Sequence, residues 1–230
     1  MSSMEEMTVG SVEDDQNWDI RANVLFGGED EVINWVDDKG GYHERIITFP
    51  ANPVNDSRVI LANGMEVLST ESSALIRLDL KEGKVPEAGL QTNQILIDEG
   101  LNHFLGWEIG EIQTLMFGST PAPVEIVGIT KGEMSRTVYF HRSDLANIVG
   151  VEATAVLIAL PEGAVADSDL GNVSLVVIEK EDLISSYESI LEQQQSFLGS
   201  ILFLGILIAI VVLFNTLIIN LSERDREIAT

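Results

Sequence analysis

The chain has 230 residues, 45% of them hydrophobic, which is enough to bury a core in one large domain or two small ones. It contains no cysteine, which excludes disulfides, thiolate nucleophiles and cysteine-bound zinc. Its net charge of −24, from 13 basic and 37 acidic residues, argues against nucleic acid or an anionic lipid surface as a partner, because both need a basic face.

The acidic composition has two interpretations. A surface rich in acids and poor in lysine suits a salty exterior, where salt screens the repulsion between the acids, so a halophilic source is one hypothesis. The other is that the acids keep an ordinary protein soluble. The composition leaves both open.

The first part of the chain has the pattern of a strand–helix–strand unit. Residues 1–16 are polar and acidic, and we expect them to form a flexible leader. The predicted elements that follow are a strand at 18–26, a helix that starts at 29 and stops at Gly40-Gly41, a strand at 44–51 and a strand pair at 57–68. Asn63 and Gly64 are expected to form the tight turn of that strand pair.

The middle of the chain, residues 75–150, is richer in predicted strands. It has a turn-rich loop at 81–90, a strand and helix at 93–107, strands at 109–118 and 122–130, and a strand and short helix at 136–150. This region has the character of a β-rich insertion.

The pattern of the first region returns after residue 150. A strand is predicted at 154–161, a loop or short helix at 162–171 and another strand at 172–179. We therefore predict an α+β fold, in which one lobe (17–74 and 151–179) is split by a β-rich lobe (75–150).

One long helix is predicted from about residue 180 to about 228. Apolar residues recur at coiled-coil-like spacing in its first part, and neither glycine nor proline interrupts 180–198. Residues 180–196 would form a stalk helix. A plain tether is the alternative, but tethers are usually rich in glycine, serine or proline.

The run Phe197–Ile219 is uncharged, and at about 1.5 Å per residue it spans roughly 34 Å, enough to cross a bilayer core. We predict a transmembrane helix at 197–221. Arg224 and Arg226 follow it directly, so the positive-inside rule places 222–230 in the cytoplasm, as the start of a cytoplasmic segment, and 1–196 outside, in a plasma membrane. Nothing before Phe197 is suited to exporting such a domain, so an upstream transmembrane helix is expected in the complete protein.

Polar and small residues inside the span predict a neighbouring helix. Asn215 and Thr216 would each need a partner in lipid, and Gly205 and Ala209 form a small-xxx-small pair that allows close helix approach. We predict these four residues as helix-packing positions.

The sequence offers no catalytic, cofactor-binding or metal site. His43, His103 and His141 are scattered without ligand spacing, and no nucleophile elbow, phosphate-binding loop or zinc-protease motif occurs. We therefore expect a non-enzyme that carries no cofactor.

Two segments, LFNTLIINLSERDREIAT (213–230) and KEGKVPEAGLQTNQILIDEGLNHFLGWEIGE (81–111), resemble parts of the FtsX-like permeases, the membrane subunits of MacB-type and lipoprotein-releasing ABC transporters. The stretch LFNTLIINLSERDREIAT (213–230) is similar to the second transmembrane helix of that family, through its Asn-Thr pair and its charged end. The stretch 81–111 and the strand 124–129 are similar to the external domain of the family. The matching positions in the first of these are Gly83, Pro86, Asn93, Ile109, Gly110 and Glu111.

The resemblance implies a ferredoxin-like βαβ lobe split by the inserted lobe, and a function as an ABC transporter permease subunit. A cytoplasmic ABC ATPase and a second permease copy would be its partners. The residues near the ATPase would be Glu223, Arg224, Arg226 and Glu227, although these four also suit a simple stop-transfer signal. The family's first helix and its two later helices are not in this sequence. We expect the chain to have been cut or its gene split.

A second interpretation is an extracytoplasmic binding or sensor module on a single membrane anchor. It explains the large external domain without transport.

Overall fold

The computed structural model describes residues 16–54, 56–71, 73–87, 93–131 and 136–228, with side chains up to residue 219. The predicted leader lies outside this part of the chain except for Gln16. The fold is α+β, with one large mixed sheet and one long C-terminal helix, which confirms the predicted class. Two compact units are present, Met1–Ile184 and Ser185–Thr230.

The described residues of the first unit form ten strands. They are β1 (Ile20–Asn23), β2 (Tyr42–Pro53), β3 (Ile60–Met65), β4 (Leu80–Gly83), β5 (Gln94–Asp98), β6 (Ile112–Phe117), β7 (Thr120–Thr130), β8 (Thr137–His141), β9 (Ala155–Ala159) and β10 (Val176–Glu179). The helices are α1 (Glu29–Lys39), α2 (Glu99–Leu105), α3 (Arg142–Val149), α4 (Ser168–Val173) and α5 (Lys180–Ile228).

The strands form one sheet in the order β10-β1-β9-β2-β3-β8-β5-β7-β4, with β6 paired to β2 and β7. The run β10-β1-β9-β2 is antiparallel throughout. Parallel pairs occur only further along the order, between β3 and β8 and between β5 and β7. The long strand β2 pairs with β9 through its first half and with β3 and β6 through its second half. It therefore connects the antiparallel run β10-β1-β9 to the rest of the sheet.

Helix α1 forms because its apolar residues lie one turn apart. Val32 and Val36 are fully buried and pack with the β1 residues Ile20 and Ala22 in one core cluster. Gly40 ends the helix in the left-handed conformation (φ 70°), which glycine adopts without steric cost. The helix therefore ends at the predicted stop, Gly40-Gly41.

The buried carboxylate of Asp98, at the end of β5, accepts hydrogen bonds from two separate segments. Its Oδ1 accepts a hydrogen bond from the backbone N–H of Leu101 at 2.8 Å and so caps helix α2. Its Oδ2 accepts from the N–H of Thr137 at the start of β8, at 3.0 Å. One side chain thus satisfies a helix end and joins it to a strand that lies far away in sequence.

The predicted strand pair at 57–68 is wrong. Asn63 and Gly64 lie inside the single strand β3, which pairs with β2 on one side and with β8 on the other. The reason is packing. A Cβ atom at Gly64 would lie 3.0 Å from Cδ2 of Leu145 and 3.3 Å from Cα of Arg142, so the glycine makes room for helix α3.

The loop predicted at 81–90 contains the short strand β4, and residues 88–92 lie outside the described part of the chain. Gly83 has φ 88°, and a Cβ there would lie 2.3 Å from the carbonyl oxygen of Val127. Gly110 has φ 90°, and its N–H donates to the carbonyl of Ile126 at 2.8 Å. Two glycines of the stretch 81–111 therefore occupy backbone conformations that favour glycine.

We predict that Gly64→Ala destabilises the first unit by about 1–3 kcal/mol, because the new methyl group overpacks the β3–α3 contact. Gly171→Ala is the matched control. Gly171 lies in α4, and its added methyl group would meet no atom within 4 Å, so alanine there should stabilise the helix by about 0.5–1 kcal/mol. Urea denaturation in detergent micelles measures both. Equal effects of the two variants would contradict the packing assignment.

Candidate functional site

The start of the long helix α5 is tied to strand β1. Strand β10 pairs antiparallel with β1 and runs directly into the helix. The backbone N–H of Lys180 donates to the carbonyl of Asp19 at 2.8 Å, and its ammonium group hydrogen-bonds the carbonyl of Gln16. The first helical residue is therefore held by residues at the beginning of the described chain.

Apolar packing adds to these hydrogen bonds. Leu183 packs on the cluster that contains Trp18, Leu75 and Leu157. The carboxylate of Asp19 also accepts from the N–H of Leu160 at 2.8 Å, which joins β1 to the end of β9. We call residues 180–184, which belong to the first compact unit, the root of α5.

An open cleft lies beside the root. It has a volume of about 570 Å³ and is bounded by Leu160, Ala164 and Val165 on one side and by Glu179, Lys180 and Ile184 on the other. Val165 is 74% exposed. The residues that line the cleft include both apolar and charged side chains.

The second part of α5 carries the apolar run. Within the part of the chain that the structure describes, α5 is the one helix long and apolar enough to cross a membrane. The side chains from Phe197 to Ile219 are exposed on every face of the helix. Exposure of so many large apolar groups all round is typical of a surface that faces lipid or other membrane helices.

The predicted helix-packing residues lie in this exposed run. Gly205 and Ala209 are one turn apart, and no atom lies within 4 Å of a Cβ position at Gly205. The hydroxyl of Thr216 donates to the carbonyl of Val212 at 2.9 Å, so Thr216 is satisfied within its own helix. The exposed amide of Asn215 has no hydrogen-bond partner among the described residues. The role of these four residues in helix packing stays a prediction. Asn215 is the strongest support for it, because its amide would need a partner from another helix in lipid.

The predicted ATPase-facing residues Glu223, Arg224, Arg226 and Glu227 fall on the last turns of α5. Their side chains lie outside the described residues. Their role stays a prediction.

The three histidines have different neighbours in the fold. His43 lies 3.6 Å from a carboxylate oxygen of Asp37, His103 makes an edge contact with Phe104, and Nε2 of the buried His141 is 2.9 Å from the carbonyl of Pro86. Among the described residues, no group of three histidine or acidic side chains is placed to hold a metal ion.

Sequence reasoning missed Asp167, which joins helices α1 and α4. Its carboxylate accepts from Nε1 of Trp35 at 2.9 Å and from Nζ of Lys39 at 2.7 Å, and it caps α4 through the N–H groups of Asp169 and Leu170. The hydrogen bond from Lys39 lowers its pKa from 3.8 to about 2. An aspartate directly before a helical segment is a recognisable N-cap signal, so this role was open to prediction.

Asp167 should contribute stability that depends on pH. Because its folded-state pKa lies below its ordinary value of 3.8, the contribution is present above about pH 4 and is lost as the pH falls through about 2. We predict that the gap in denaturation midpoint between wild type and Asp167→Asn narrows over this window. Glu162→Gln, at an exposed loop position, is the control. A gap that stays constant with pH would contradict the assignment.

Comparison with known proteins gives structural neighbours only. No protein-family model matches the chain, and no curated protein matches it. The periplasmic region of MacB from Actinobacillus actinomycetemcomitans is 10% identical, with 81% of this chain and 98% of that chain covered and a TM-score of 0.46.

Two further solved structures are of the same kind. The extracellular domain of the noncanonic ABC-type transporter YknZ from Gram-positive bacteria is 13% identical, covers 82% of this chain and 84% of that chain, and has a TM-score of 0.39. A domain of a putative permease from Porphyromonas gingivalis is 14% identical over 66% and 67% of the two chains, with a TM-score of 0.37.

Proposed function

We propose that this chain is the extracytoplasmic domain and one transmembrane helix of an FtsX-like, MacB-type ABC transporter permease subunit. Its external domain and long helix would couple ATP hydrolysis in the cytoplasm to export or to mechanical signalling across the membrane. The subunit itself would be non-catalytic, with a cytoplasmic ABC ATPase and a second permease copy as partners.

The observation that carries this proposal is the continuity of α5. The helix runs from Lys180 to Ile228 as one element of 49 residues, roughly 70 Å at about 1.5 Å per residue. It contains both the root, which is packed into the folded domain, and the apolar run. A flexible tether would decouple the two, whereas a helix keeps them in one stiff element.

The topology supports a ferredoxin-like lobe with an insertion. In the antiparallel order β10-β1-β9-β2, helix α1 connects β1 to β2 and helix α4 connects β9 to β10. This is a repeated β-α-β unit in one sheet. Strands β4 to β8 fall within residues 75–150 and would form the inserted lobe. The domain boundary there stays a proposal, because β2 of the first lobe pairs with β6 as well as with β9.

The orientation follows from charge. Arg224 and Arg226 after the apolar run favour a cytoplasmic C-terminal end, with residues 1–196 outside. The four charged residues at this end would then be close to the ATPase.

Co-purification tests the proposal and separates it from a single-anchor sensor. The gene product that contains this chain, extracted from membranes in mild detergent, should retain an ABC ATPase identified by mass spectrometry. The double variant Glu223→Gln with Glu227→Gln should reduce the recovered ATPase about tenfold, equivalent to about 1.4 kcal/mol of binding free energy. Acidic residues contribute little to membrane orientation, so this variant leaves the stop-transfer arginines intact.

The matched control is Glu188→Gln with Glu192→Gln, which removes the same charge from exposed positions of the stalk. It should leave the recovered ATPase unchanged. Recovery of no ABC ATPase with the wild-type protein would favour the sensor. If the two double variants recover equal amounts of ATPase, Glu223 and Glu227 do not have the proposed role in binding it.

A further inference from the structure

Arg21 is a half-buried cation without a carboxylate partner. It lies on β1, where its Nε donates to Oδ1 of Asn23 at 3.2 Å and its Nη2 donates to Oγ1 of Thr48 at 3.3 Å. Both acceptors are neutral. Within the described parts of the chain, no ion pair involves this guanidinium.

This is unexpected in a chain with 37 acidic and 13 basic residues. Other cations of the described chain do have carboxylate partners, namely Lys39, Arg45, Arg58, Lys81, Lys131 and Arg142. Burial lowers the pKa of Arg21, which reflects the cost of removing its charge from water. A charge that is partly desolvated in a protein is normally paired, so a missing anion is the simplest explanation.

Arg21 lines a small cavity together with other charged side chains. The cavity has a volume of about 180 Å³, and Arg77 and Lys131 line it together with Arg21. Asp79 is the one carboxylate among the lining residues, and it already pairs with Nζ of Lys131 at 3.2 Å. Tyr139 and Asn63 add groups able to donate hydrogen bonds.

The size of the cavity restricts the ligand. A water molecule takes about 30 Å³ and drug-sized pockets begin at about 300 Å³, so the cavity suits one small polyatomic group. The planar donors of a guanidinium match the oxygens of phosphate, sulfate or carboxylate. Repulsion by the net charge of −24 acts at long range and is screened beyond about 10 Å at 0.1 M salt, so the local cations decide binding.

We propose that this cavity is a binding site for a small inorganic oxyanion the size of phosphate or sulfate, with Arg21 as its principal donor. The bound anion supplies the counter-charge that Arg21 lacks and links β1 to the segment around Arg77 and Asp79. The site lies wholly within the first compact unit and does not depend on the proposed transport function.

Equilibrium dialysis with radiolabelled inorganic phosphate, on the full chain in detergent at 150 mM KCl, tests the site. We expect saturable binding of one phosphate per chain. Arg21→Gln, which keeps a polar side chain but removes the charge, should weaken the affinity at least about tenfold. Arg58→Gln is the control, because Arg58 pairs with Asp56 and does not line the cavity. It should bind as the wild type does.

Absence of saturable binding to the wild-type chain, or equal affinity in Arg21→Gln, would overturn the proposal. If Arg21→Gln fails to fold, a thermal melt of the wild-type chain tests phosphate binding without the variant. Phosphate at a hundredfold excess over its dissociation constant should raise Tm by about 5 °C relative to KCl of the same ionic strength. Equal Tm values in the two salts would also overturn it.

Discussion

A lipid bilayer offers no hydrogen-bond partners to a polypeptide backbone, and this constraint determines the C-terminal part of the chain. The run from Phe197 to Ile219 can cross a membrane only if each backbone group is satisfied within the segment, and the α-helix does this. The same helix begins in a folded domain, where Leu183 packs beside Trp18 and Lys180 is held by Asp19 and Gln16. The requirement of the membrane and the packing of the domain are therefore met by one secondary-structure element.

Much of this arrangement could be predicted from sequence because it depends on local patterns. Helix α1 follows from apolar residues one turn apart, and α5 follows from a long uncharged run without proline. Most strands also fall where alternation or apolar runs place them. The N-cap role of Asp167 was equally local, and attention to helix starts would have found it.

The errors and omissions come from contacts between distant segments. Asn-Gly is a strong turn signal, but Gly64 lies inside a strand because the side chain of Leu145, some eighty residues later, packs against it. The cavity at Arg21 is assembled from seven separate segments, so no spacing in the sequence marks it. Such features become visible only when the fold brings the segments together.

The stiffness of α5 is the central claim, and one substitution tests it directly. Gln194→Pro would remove a backbone hydrogen bond in the exposed stalk and kink the helix, whereas Gln194→Ala would leave it straight. A single cysteine introduced as Glu162→Cys, in a sequence without cysteine, would carry an environment-sensitive fluorophore on the external domain. In a complex reconstituted with the proposed ABC ATPase partner, ATP should change the fluorescence of the wild-type and Gln194→Ala proteins but not that of Gln194→Pro. An equal response in the proline variant would contradict coupling through a continuous helix.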